Sequence, residues 1–157
     1  MTMSECRRLV LVCAGNICRS PLAEHAARRA LAARRVDDVV VASFGLIAID
    51  GDVPSAKTLR AGAAVGLDLR AHRAQRLRAG MLQPGDFTCT MESAQLDEIL
   101  RMTDCHEAVK LLGTFAPGAS IEIGDPEDGD ERAFNECARR IIDCVEAMCD
   151  ALVHARR

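Results

Sequence analysis

The strongest constraint on this chain is a short apolar run over residues 8–12 that ends at Cys13 and turns through Ala14-Gly15-Asn16-Ile17-Cys18-Arg19-Ser20 into Pro21. The run reads as a buried strand, and proline is accepted in the first turn of a helix because the N–H it lacks has no partner there. Strand, loop, helix is therefore the opening unit. Its helix is expected to reach about residue 34, with Leu22, Ala26, Ala30 and Leu31 on the apolar stripe and Glu24, Arg28 and Arg29 on the outer face. A β-branched run over 39–44 gives a second strand, and Ser55 can N-cap a helix that runs through residue 66. Residues 87–91 and 109–112 read as two more strands, separated by a helix over 92–102. Residues 113–130, rich in Gly and Pro, form a long loop, and loops of that length in compact domains are usually functional. The last helix, over 131–154, sets Phe134, Ala138, Ile141, Val145, Met148 and Leu152 at spacings of three and four, so one face packs on the sheet. This order predicts an α/β fold, a doubly wound four-stranded parallel sheet with helices on both faces. A ligand is expected at the carboxyl ends of the strands, where Cys13 lies.

The 157 residues fit a single domain spanning 1–157, long enough to bury a core without staples. Trp and Tyr are absent and Phe is scarce, so the core is built from Ala, Val, Leu, Ile, Met and Cys. A net charge of -3 with no basic stripe excludes a nucleic-acid footprint. The first residues lead into too few apolar positions for a signal peptide or a membrane span, which predicts a cytoplasmic protein without membrane association. In that compartment the eight cysteines are reduced and mostly serve as small hydrophobes. They have no zinc-ligand spacing: four residues separate Cys13 from Cys18, and Cys105-His106 lacks partners, so no metal is expected.

The loop carries the chemistry. A free thiol with a pKa of about 8.5 supplies only a few per cent of nucleophilic thiolate at neutral pH, so a reactive cysteine needs surroundings that stabilise negative charge. Backbone N–H groups over residues 14–19 can turn inward as an anion nest at the positive end of the following helix. Gly15 and Asn16 are the residue types that tolerate a left-handed turn. The same cradle fits a tetrahedral oxyanion, to which Arg19 can offer a planar fork. Ser20 can donate a hydrogen bond to the Cys13 sulfur.

The run Cys13-Ala14-Gly15-Asn16-Ile17-Cys18-Arg19-Ser20-Pro21-Leu22-Ala23-Glu24 resembles the signature of the low-molecular-weight protein tyrosine phosphatases, in particular the bacterial branch that also contains protein-arginine phosphatases. The likeness extends along nearly the whole chain, through Ser43-Phe44-Gly45, Gly66-Leu67-Asp68-Leu69-Arg70-Ala71-His72-Arg73-Ala74, residues 86–91, Val109-Lys110-Leu111-Leu112 and Asp125-Pro126. The resemblance implies a monomeric, cofactor-free phosphatase acting on phosphorylated protein. Cys13 would attack phosphorus, Arg19 would stabilise the transition state and Asp125 would protonate the leaving oxygen. Ala14, Gly15, Asn16, Ile17, Cys18, Arg19 and Ser20 would bind the phosphate, and Asn16, Ser20, Ser43 and His72 would support the loop. A phenolate leaving group has a conjugate acid near pKa 10, so a positioned carboxylic acid contributes about 10²- to 10⁴-fold.

Two departures bear on the substrate. Tyrosine-directed members of the resembled family flank the pocket with aromatics, whereas residues 47–50 here are aliphatic or acidic and Glu127-Asp128 follow Pro126. Each lost aromatic pair weakens ring stacking by about 0.5–1.5 kcal/mol. The run around 45–55 resembles the branch with arginine phosphatases, whereas Ile17 stands where those members carry Thr. Phosphotyrosine is the expected substrate, with phosphoarginine as the alternative. A phosphate- or phosphoprotein-binding module of weak activity is the competing class. An arsenate reductase is excluded because Leu96 stands seven residues after Cys89, where a relay cysteine is needed. Cys18 has two readings, a loop filler or a partner that traps oxidised Cys13 as a disulfide.

Overall fold

Residues along β1 (Arg8–Cys13) point alternately to opposite sides of the sheet, and from Leu9 onward every one is buried, so both sides need cover. The computed structural model describes residues 2–157, with Met1 outside the described residues. β1 is followed by α1 (Arg19–Ala33), β2 (Val40–Gly45), α2 (Ala56–Ala64), β3 (Asp86–Thr90), α3 (Ser93–Met102), β4 (Val109–Leu111) and α4 (Glu131–Ala155). The strands form one parallel sheet in the order β2-β1-β3-β4. Leu9, Leu11 and Cys13 pack with α1 and α4 on one face, while Val10 and Val12 pack with Phe44, Leu77 and Ile99 of α3 on the other. This is the expected doubly wound α/β sheet with helices on both faces.

Local chemistry explains the ends of the elements. The Ser55 hydroxyl accepts the Thr58 N–H at 3.2 Å and Asp130 accepts the Ala133 N–H at 2.9 Å, capping α2 and α4. All six residues of the expected α4 stripe are buried, with Ile141, Val145 and Met148 fully so. Among the described residues no helix is long and apolar enough to cross a membrane.

Three features aim the sheet at the loop after β1. Register pairs Cys13 with Gly45, so β1 and β2 end level with each other. The segment after His72 then runs beside Gly45, whose N–H donates to Gln75 O and whose carbonyl accepts from Leu77, both at 2.9 Å. The long loop after β4 returns over the end of β3, where Ile123 N–H donates to Met91 O at 2.9 Å. Gly113 permits this return, because a Cβ there would lie 2.0 Å from Ile121 O. Arg140 on α4 holds the loop from beneath through the carbonyls of Ala116 and of Ser120, the latter at 2.9 Å.

One expectation about α1 is corrected. Glu24 is 7% exposed rather than on the outer face, because it is turned toward β2 and paired there. Arg28 and Arg29 do lie outside.

Candidate active site

Cys13 ends β1 with 3% exposure, and its Sγ lies 3.0 Å from Ser20 Oγ. The Ser20 hydroxyl has one proton and two acceptors in reach, Cys13 Sγ and Phe44 O at 3.3 Å. A sulfur anion is the stronger acceptor, so the proton turns to Cys13 as charge appears there. Between these residues the backbone gathers a set of free donors. Among the described residues none of the N–H groups from 14 to 18 has a protein acceptor, and the run leads directly into the N-terminus of α1. Asn16 makes the reversal with φ of 53°. Of the two residues that tolerate a left-handed turn, Asn16 alone adopts it and Gly15 does not.

Asn16 locks the loop from behind. Its Nδ2 donates to Ser20 Oγ at 2.8 Å and Ser43 Oγ at 2.9 Å, while its Oδ1 accepts Gln75 N–H at 2.8 Å. Its carbonyl lies 2.8 Å from His72 Nε2, which must carry the proton because a carbonyl only accepts. Ser43 in turn donates to Glu24, whose other oxygen pairs with Arg28 and which lies 3.7 Å from His72 Nδ1. The ring of His25 meets that of His72 edge-on at 6.3 Å, and burial lowers the pKa of His25. All four supporting residues expected from the sequence therefore meet, with Glu24 and Gln75 added. Gly45 belongs to the same unit, because a Cβ there would lie 2.5 Å from Ala14 O and 2.7 Å from Asn16 N.

Arg19 is the first residue of α1 and is 2% exposed. Its Nη1 donates to Glu92 and, at 2.9 Å, to Ile123 O; its Nη2 lies 3.3 Å from Asp125 Oδ2. Burial works against its charge, but the hydrogen bond to Glu92 and the neighbouring Cys13 and Asp125 outweigh it and raise its pKa. These contacts fix the guanidinium plane before any ligand arrives. Cys13, Arg19, Asp125, Ile47, Glu127 and Phe134 share one pocket of about 200 Å³ with the loop. Ile17 and Cys18 also line it, and burial pushes the Cys18 thiol up to about 11. Among the described residues no group of three or more His, Cys, Asp or Glu side chains could hold a metal ion.

Comparison with known proteins agrees with this geometry. Residues 8–157 match the family described as Low molecular weight phosphotyrosine protein phosphatase. The chain belongs to that family. It is 36% identical over 142 residues to a probable low molecular weight protein-tyrosine-phosphatase, EpsP, of Ralstonia solanacearum, covering 90% of this chain and 92% of that one. The crystal structure of the Erwinia amylovora tyrosine phosphatase AmsI superposes with a TM-score of 0.83 at 27% identity, covering 93% of each chain. The YwlE arginine phosphatase from Geobacillus stearothermophilus shares the fold, with a TM-score of 0.82 at 24% identity over 94% of this chain and 93% of that one.

Within this phosphatase fold some contacts have no signal in the sequence. Glu92 reads only as the start of a helix, and nothing local announces that it reaches Arg19 across 73 positions. Phe134 reads as a core residue of α4, and it also supplies one aromatic face to the pocket from a helix rather than from the loops.

Proposed function

We propose that this chain is a single-domain, metal-independent protein phosphatase of the cytoplasm that cleaves phosphotyrosine through a phosphocysteine on Cys13. The observation that carries the reading is the convergence of unpaired loop N–H groups, Arg19 and Asp125 on the pocket holding Cys13. The loop donors hold a phosphoryl group's oxygens and Arg19 forks two of them as charge spreads in the transition state. The Cys13 thiolate attacks phosphorus, the bond from phosphorus to the tyrosyl oxygen breaks, and Asp125 gives its proton to that oxygen. Asp125, now a carboxylate, takes a proton from water, whose oxygen attacks phosphorus. The sulfur leaves as a thiolate, helped by the Ser20 hydroxyl at 3.0 Å, and inorganic phosphate is released.

The apolar Ile17 in the pocket lining favours phosphotyrosine, and phosphoarginine is the second substrate to test. Rates on phosphotyrosyl and phosphoarginyl peptides of one sequence, measured in chelator, test the reading. Faster phosphotyrosine release supports it; release from phosphoarginine alone reverses the substrate, and tight phosphate binding without turnover makes the chain a binding module.

A further inference from the structure

The walls of the pocket mouth are unequal. The loop after β2 contributes Ile47, which lines the pocket and is 69% exposed, with Ile49 and Val53 on the same loop 69% and 57% exposed. The loop after β4 contributes Glu127 beside Asp125, its backbone N–H donating to Asp125 Oδ1 at 3.0 Å. Among the described residues neither Glu127 nor Asp128 has a cationic side-chain partner, whereas the more distant Asp50, Asp68 and Asp38 are each paired with an arginine. Lys57, on α2, is already engaged at the edge of the pocket, its Nζ donating to Gly129 O at 2.9 Å and lying 5.7 Å from the ring centre of the pocket-lining Phe134, and it makes no ion pair with Glu127 or Asp128. Arg19 is the one cation lining the pocket among the described residues, and it faces the phosphate position.

A bound phosphoryl dianion would therefore lie near the Glu127 carboxylate, which has no counter-charge among the described residues. That arrangement is unfavourable unless the substrate brings the missing cation. From this asymmetry, and resting on the phosphotyrosyl reading above, we propose that Glu127 is a specificity-determining residue that selects phosphopeptides with an arginine or lysine beside the phosphorylated residue. An exposed ion pair of this kind gives a preference of about two- to fivefold, and salt screens it.

The test compares kcat/KM for three phosphotyrosyl peptides that differ only in the flanking residue, Arg, Ala or Glu, at low and at high salt. The order Arg, Ala, Glu is expected, collapsing in high salt and narrowing in Glu127→Gln, while Glu98→Gln on the remote face of α3 keeps it. Equal rates on the three peptides, or a preference that survives Glu127→Gln, overturn the inference and leave the phosphatase reading standing. Hydrolysis of none of them overturns both.

Discussion

At the scale of single residues, the shape of the loop after β1 depends on side chains that sit behind it rather than line the pocket. Asn16 makes three side-chain hydrogen bonds in a left-handed turn, so Asn16→Ala leaves Ser43 and the Gln75 N–H short of partners inside the protein. A loss of about 1–3 kcal/mol of stability is expected, read by denaturant titration, with a larger fall in kcat/KM than in stability. Gly45→Ala meets backbone on two sides and is expected to distort the loop while the distant core of α4 keeps its hydrogen-exchange protection. Glu92 orients Arg19 by a charge-assisted bond, and Glu92→Gln should lower kcat/KM about tenfold with an unchanged melting curve. A melting curve that drops as far as that of Asn16→Ala would make Glu92 a stability residue instead. Asn16, Ser20, Ser43 and His72 are legible in the sequence because they sit inside or beside recognisable motifs. Glu24 reads as outward because a carboxylate on a helix is usually solvated, and its burial depends on Ser43 and Arg28, which only the packing of α1 on β2 brings to it.

At the scale of elements, the strand and helix pattern is legible because periodicity records which faces are covered. β1 and α4 follow it residue by residue. What periodicity does not reveal is how the long loop after β4 is held, since its restraints come from the side chain of Arg140 and from backbone with no sequence signature. This gives Arg140 a consequence for turnover although it is far from sulfur. Arg140→Ala should let the loop carrying Asp125 drift and slow turnover of aryl phosphates by up to about a hundredfold, most for the poorest leaving groups. Asp125→Asn should show the same leaving-group dependence, and a uniform slowing across leaving groups would count against an acid at that position.

At the scale of the whole molecule, the core has cysteines where other folds use larger residues, and this sets an alkaline limit. Burial pushes the thiols of Cys6 and Cys18 up to about 11 and those of Cys137 and Cys149 up to about 12, against an ordinary value of 9.0. Above pH 9 the unfolded chain releases these protons while the folded chain keeps them. The unfolded state then binds fewer protons, and stability falls with rising pH by up to about 1.4 kcal/mol per pH unit for each such thiol until its folded value is reached. The chain has no tyrosine and only two lysines, so few other groups titrate in that window. Denaturant midpoints between pH 8 and 11 should fall steadily under reducing conditions; a flat profile would contradict thiol burial as the controlling effect.

In the proposed mechanism Cys13 carries the phosphoryl group between the two half-reactions. The direct measurement is rapid acid quenching during turnover of an aryl phosphate in chelator, followed by mass analysis of the peptide containing Cys13. One phosphoryl adduct on the Cys13 sulfur is expected, accumulating in Asp125→Asn with a good leaving group and absent, together with turnover, in Cys13→Ser. Phosphate release by Cys13→Ser at the native rate, or an adduct on another residue, would contradict it.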